Sequence, residues 1–286
     1  MTVARAKSVP EVSGPSLFSG ETRTVRLFAG MGSPEDPAWR LLCGAGENGD
    51  VPVDVAPGLV PPGRLRARRC TEVLGDRGGS LAETEHLCAA LAFWRGPRTI
   101  AWCDGGELPA CDGSARAWVA ALRELPGARF GWSTYPAPLR RRWVWEEGFL
   151  EVEPSDRFEA EVVWAREGLE QRAALREGEP FDRILEARSF VSARELEEAR
   201  KEGLLAGVAP EMGYLWEKRD GRLRVLEGGE LRDPDEFAAH KLLDLVGDLA
   251  LAAPGLPRLK IRARNAGHFW HHRLVASLLL VLPPRM

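Results

Sequence analysis

The sequence is poor in the features that announce many protein classes. Its five cysteines (Cys43, Cys70, Cys88, Cys103 and Cys111) are scattered, odd in number and never spaced C-x-x-C. That excludes a disulfide scaffold and a cysteine-built zinc finger, and leaves reduced, mostly buried thiols as the expectation. An excess of one charge is missing too: 39 basic residues against 42 acidic ones give a formal net charge of −3. Nucleic-acid binders show a basic excess or stripe, so no nucleic-acid partner is expected. The most apolar run, Leu274 to Leu282, is interrupted by Ser277. It falls far short of the roughly 20 residues of a membrane-spanning helix and reads as core. Met1 to Pro10 has no continuous apolar stretch of the secretory kind. The expectation is a cytoplasmic protein with at most peripheral contact with the inner membrane. No short tandem repeat is visible.

What is present suffices for a globular core. The 286 residues are 44% hydrophobic and 28% charged, which rules out disorder. With domains of roughly 100–200 residues, two are expected. In the first half, Thr22 to Phe28 and Thr99 to Cys103 read as strands. Residues 31–80, dense in Gly and Pro, read as short strands and long loops, with Val51 to Val55 one such piece. Ala82 to Phe93 and Ser114 to Glu124 read as helices, each closed by a Gly-Pro or Pro-Gly stop. A boundary falls at the Gly- and Pro-containing stretch before residue 139, giving domains 1–134 and 139–286.

In the second half, Trp143–Trp145, Phe149–Val152 and Phe158–Trp164 alternate like strands, and Ser192 to Glu202 is amphipathic. Arg140 to Arg142 reads as a solvated linker and the tryptophans as packing residues. Asp233-Pro234-Asp235-Glu236 has the form of a helix start, with an N-cap Asp, Pro at the first position and acid in the first turn. That helix is expected to run to about Ala252, followed by a strand over Leu259 to Ala263 and a last helix from Gly267-His268. Several strands and two helices per half, in mixed order, indicate an α+β fold of two similar domains with helices packed on sheets.

Histidine is scarce: His86, His240, His268, His271 and His272 are all there are. On the helix beginning near Asp233, His240, Asp244 and Asp248 recur at i, i+4 and i+8 and form one polar stripe, opposite Phe237, Leu242, Leu245 and Leu249. A His and an Asp four apart can present ligand atoms to one metal ion; they also make an ordinary surface ion pair. Gly247 within such a helix costs about 1 kcal/mol relative to Ala, which a close approach of ligand or backbone would justify. Glu85-His86 opens a helix of the first half, and His268 opens the last helix. Together these residues supply two imidazoles and a carboxylate for a metal, with Glu85 and His268 left for proton transfer. His271 and His272 read as an exposed helix face.

Five segments, in this order, carry a resemblance. They are Thr84-Glu85-His86, Asp112-Gly113-Ser114-Ala115, Ala187-Arg188-Ser189-Phe190, His240-Lys241-x-x-Asp244-x-x-Gly247-Asp248, and Ala266-Gly267-His268. The chain resembles the LpxC family, zinc-dependent UDP-3-O-acyl-N-acetylglucosamine deacetylases of lipid A synthesis, over about residues 12–280. The resemblance implies an active site between two similar domains. It implies His86, His240 and Asp244 as ligands of Zn2+, with Fe2+ compatible with the same set. It assigns Glu85 as general base, His268 as the cationic acid that meets the oxyanion and leaving amine, and Asp248 as the holder of its ring. Ser189 stands where the family's threonine supports the oxyanion, and Lys241 matches a substrate-contacting lysine. Phe190, Val191, Leu196 and Leu204 would line a passage for the acyl chain of an acylated UDP-amino-sugar. A monomer is expected.

The sequence also departs from the family. Phe18 stands where a histidine is usual, Asn265 where a lysine would contact phosphate, and His271-His272 replaces Asn-Asn; Arg262 and Arg264 are candidates to replace the lysine. Every residue needed for amide cleavage remains while substrate contacts differ. Two other readings therefore stand beside the deacetylase: a paralogue acting on another acylated N-acetyl amino-sugar, and a non-catalytic binding or regulatory relative.

Overall fold

A computed structural model of the chain describes residues 9–30, 36–44, 53–75 and 78–282. The first half runs β1 (Glu11–Pro15), β2 (Thr22–Ala29), β3 (Trp39–Cys43) and β4 (Asp54–Val55). A small three-stranded insert follows: β5 (Leu65–Ala67), β6 (Thr71–Leu74) and β7 (Ser80–Leu81). Then come α1 (Thr84–Ala92), β8 (Thr99–Cys103) and α2 (Arg116–Arg123). A connecting strand β9 (Thr134–Pro136) leads to β10 (Arg141–Trp145), β11 (Gly148–Pro154), β12 (Glu159–Arg166) and β13 (Leu169–Arg176). The second insert holds α3 (Asp182–Leu185), β14 (Phe190–Ser192), α4 (Ala193–Lys201), β15 (Tyr214–Arg219) and β16 (Arg222–Glu227). The chain closes with α5 (Glu236–Leu249), β17 (Leu256–Arg264) and α6 (His268–Val281).

The two main sheets are built alike. One has the order β1-β2-β8-β3-β4, the other β10-β11-β17-β12-β13, with β9 added beside β17. In each, two antiparallel hairpins flank the late strand, which runs antiparallel to the second strand and parallel to the third. In each half an insert interrupts the chain between the fourth strand and the first long helix. The fold is α+β, and the two halves repeat one module, which the primary sequence conveys only faintly. Period-2 patterning sets the buried face: in β13, Gln171, Ala173 and Leu175 point inward while Glu170, Arg172 and Arg176 stay exposed.

α1 and α5 pack against each other at the centre. Apart from His86, α1 is buried from end to end, and α5 is buried along its whole length except Lys241. Their approach is close because Gly247 has no side chain. A β-carbon there would lie 2.8 Å from the Glu85 carbonyl carbon and nearer still to its oxygen. The sequence therefore locates a backbone contact at Gly247, and the contact joins the two helices that carry the polar stripe and Glu85-His86.

Three expectations change. The last long stripe-bearing helix begins at Glu236, not Asp233, because Asp233 is used elsewhere: its carboxylate accepts from the Asp235 amide (2.8 Å) and takes both arms of Arg183 (2.7 Å each). The orphan N–H groups of Phe237 and Ala238 instead donate to Oε1 of Gln171 on β13 (2.9 and 3.3 Å). Arg141 and Arg142 lie in edge strand β10, not in a linker, with Arg140 and Arg142 facing Glu153 and Glu151. Within the C-terminal apolar run, Leu274, Val275 and Leu278 are buried but Leu280 is 85% exposed. The strand expected over 51–55 is seen at Asp54–Val55, residues 51–52 lying outside the described residues. The five cysteines form no disulfide. Among the described residues no helix is long and apolar enough to cross a membrane.

Candidate metal centre and active site

The helices bring the sparse histidines together. α1 delivers Glu85 and His86 in its first turn, α5 delivers His240, Asp244 and Asp248 from consecutive turns, and α6 opens with His268. His86 Nε2 lies 3.8 Å and His240 Nε2 3.4 Å from Asp244 Oδ1, and these three ligand atoms all fall within 4.8 Å of one another. On the far side of Asp244, His268 Nε2 is 3.7 Å from Glu85 Oε1 and 3.9 Å from Asp244 Oδ2.

The electrostatics suit a cation. Burial drives the His86 ring down to about 3, with the His240 ring adding to the effect, and drives His240 down to about 4. Both are therefore neutral and present lone pairs, the form a metal needs. His240 Nδ1 lies 3.1 Å from the Ala187 carbonyl, so it carries the proton and leaves Nε2 free to ligate. Although burial opposes its charge, Asp244 is held well below the usual carboxylate range by the His240 ring and the Lys241 ammonium; Lys241 Nζ donates to its Oδ2 at 2.8 Å.

The two remaining groups are tuned the other way. Burial lifts Glu85 to about 7 against the opposing charge of His268. Burial works against the charged His268 ring, yet Asp248 and Asp244 hold its pKa up at about 9. Near neutral pH this places an ionisable base beside a protonated acid, the pairing that general acid–base chemistry uses.

These groups open onto a cavity of about 730 Å³ lined from both halves and both inserts. Phe190 lines it, stacked on Phe237 (ring centres 4.1 Å apart) and under the Lys241 ammonium. Val191 and Leu196 also line it, whereas Leu204 packs in the small cluster of Leu196, Ala199 and Leu205 without reaching the cavity wall, and Leu205 takes that place. Phe18 joins the same apolar cluster. Ser189 lines the cavity, but its hydroxyl donates to the Gly113 carbonyl at 3.1 Å. Asn265 lines it too, in a left-handed conformation (φ 51°), with its amide spent on the Ala165 N–H and the Glu147 carbonyl. Arg262 and Arg264 are not among the lining residues; Arg68, Arg69, Arg166 and Arg200 are.

Sequence reasoning missed Thr71 and the true place of His271 and His272. The histidine pair is buried, 1% and 8% exposed, not on a solvated face. The signal was available: His268, His271 and His272 stand at i, i+3 and i+4, one face of a helix. Nothing local marks Thr71, whose partners at the site are distant in sequence.

Two neutral imidazoles and a carboxylate that could hold a metal ion, with a raised carboxyl and a charged imidazole beside them in one cavity, are the equipment of a metal-dependent hydrolase. Residues 6–280 match the profile of the LpxC family, UDP-3-O-acyl N-acetylglycosamine deacetylase, and the chain belongs to that family of metal-dependent deacetylases. Among similar proteins, the UDP-3-O-acyl-N-acetylglucosamine deacetylase of Phenylobacterium zucineum is 30% identical, covering 92% of this chain and 93% of its own. The enzyme of that name from Shewanella violacea is 28% identical (80% and 78% covered), and that of Anaeromyxobacter dehalogenans 32% (72% and 68%).

Proposed function

We propose that this protein removes acetate from UDP-3-O-acyl-N-acetylglucosamine in lipid A synthesis, using one Zn2+ held by His86, His240 and Asp244. The observation that carries the reading is the convergence of that neutral-imidazole and carboxylate set with Glu85 and His268 in one cavity. Zinc bound there supplies Lewis acidity that makes water a competent nucleophile near neutral pH. Glu85 takes the proton of the attacking water. His268, protonated, faces the oxygen on which negative charge develops and passes its Nε2 proton to the departing amine, while Asp248 holds the ring from the other side. Ser189 turns its hydroxyl from Gly113 to add a donor to the oxyanion. Lys241 contacts substrate, and Phe190, Val191 and Leu196 with the apolar insert cluster receive the acyl chain; Leu204 supports that wall from behind. The catalytic groups divide between domains 1–134 and 139–286. The setting is cytoplasmic and the unit a monomer.

Metal analysis of anaerobically purified protein, joined to an acetate-release assay on the acylated UDP-sugar, tests this. One equivalent of metal with chelator-sensitive release is the expected result. Metal without release refutes the substrate, and folded protein without metal refutes the enzyme.

A further inference from the structure

Beneath His268 lies a polar cluster of which the scheme above uses only Asp248. Asp248 is fully buried, and burial alone would neutralise it. It remains ionised because donors surround it. His268 Nδ1 lies 2.8 Å from its Oδ2, His271 Nδ1 lies 2.8 Å from the same oxygen, and the Thr71 hydroxyl donates to Oδ1 at 2.5 Å. An ionised carboxylate only accepts, so both ring nitrogens donate. Thr71 has spent its single proton on Asp248 and can therefore only accept from His272 Nε2, at 2.9 Å. The same oxygen sits 3.1 Å from His268 Nδ1. Thr71 also reaches the base: its backbone N–H donates to Glu85 Oε2 at 3.1 Å. One residue of the first insert thus touches the base directly and the acid through Asp248.

The 2.8 Å contacts are direct hydrogen bonds and leave no room for an ion between the groups, so a second metal site does not explain the cluster. We propose that Thr71, His271 and His272 are positioning residues that lock the Asp248 carboxylate, and through it fix the His268 ring with Nε2 toward Glu85 and the substrate amide. A carboxylate with one donor can rotate about its Cβ–Cγ bond; with both oxygens bound, from β6 on one side and α6 on the other, it cannot. The inference rests on the deacetylase reading for its kinetic arm alone.

The test uses paired variants of the full chain. Thr71→Val and His271→Phe remove a donor at near-constant volume. Thr71→Ser and His271→Asn return it, since the Asn amide nitrogen stands at the same bond distance from Cβ as Nδ1. Loss of such a support is expected to lower kcat by about 10- to 100-fold, with KM, metal content and melting temperature near wild type, and the Ser and Asn variants are expected to recover most of it. Unchanged kcat in both donor-deleted variants overturns the proposal. So does a loss that tracks a fall in melting temperature or that Ser and Asn fail to rescue, because either marks mere packing. A second readout needs neither substrate nor metal. In 15N-labelled metal-free protein the His268 Nδ1 proton should exchange slowly in wild type and in the Ser and Asn variants, and rapidly in the Val and Phe variants. Equal protection in all of them overturns the proposal. If wild type releases no acetate, the deacetylase reading has failed while this readout still decides the positioning role.

Discussion

The Gly247→Ala substitution separates two opposed effects by sign. Seen as a helix position, Gly247 is a defect, and Ala should stabilise α5 by about 1 kcal/mol. Seen as a contact, it is where α5 meets the Glu85 backbone. The added methyl would stand 2.8 Å from the Glu85 carbonyl carbon and 3.1 Å from its Cα, against an ordinary carbon–carbon contact of about 3.5–4.0 Å. Relief of the carbon contact alone requires α1 and α5 to part by about 0.7 Å, and the carbonyl oxygen, nearer still, demands more; overpacking of this kind costs about 1–3 kcal/mol. The separation falls across the proposed ligand set, because His86 rides on α1 while His240 and Asp244 ride on α5. Metal–ligand distances tolerate only about 0.2 Å. The expected outcome is metal affinity weaker by at least about 10- to 100-fold, with a lower melting temperature for the metal-free protein. Competition with a chromophoric chelator measures the first and thermal unfolding the second. Wild-type affinity together with a raised melting temperature would mean that helix propensity acts unopposed, and that the close approach of α1 and α5 does not build the site.

Other perturbations divide the roles. Asp244→Ala should strip the protein of metal, read by elemental analysis of purified protein; an unchanged metal content removes Asp244 from the ligand set. Glu85→Gln should keep its metal while acetate release drops by a factor on the order of 10² to 10⁴, and wild-type turnover would show that another group is the base. His268→Ala should lower kcat with metal content intact, and an effect confined to KM contradicts an acid role. The pH profile of kcat/KM should be bell-shaped. Glu85, raised to about 7, must be ionised, so activity falls as pH drops through that value. His268, raised to about 9, must be protonated, so activity falls as pH climbs through its own. A bound dication favours deprotonation and moves both limbs to lower pH. Activity still rising above pH 10 refutes the assignment.

Most of the strands and helices were legible because local patterns and backbone stops suffice for them. Thr99–Cys103 is a strand to the residue, and the Ser192 capping box starts α4 where the amphipathic pattern does. The start of α5 was misread because a cap is a question of who receives the N–H groups, and here the acceptor is Gln171, 66 residues upstream of the Phe237 it caps. The duplication was hidden for a related reason. The two halves share strand order and pairing direction, which constrain backbone geometry, while their inserts differ in size and content.

At the site, residues whose chemistry lies in their own side chains were visible and residues that act through others were not. A histidine and two aspartates four apart on a buried helix declare a common face. Thr71 declares nothing, because its importance comes from standing between Glu85 and Asp248, the latter 177 residues away. The rule that polar helix positions face water places His271 and His272 in solvent. That rule fails once a buried carboxylate needs donors, because an uncompensated charge costs far more than burying two imidazoles that satisfy it. Asp248 is fixed by its place in the stripe. Given a buried aspartate at that depth, the neighbouring face of α6 had to be polar, and the i, i+3, i+4 spacing of His268, His271 and His272 is how the chain meets that demand.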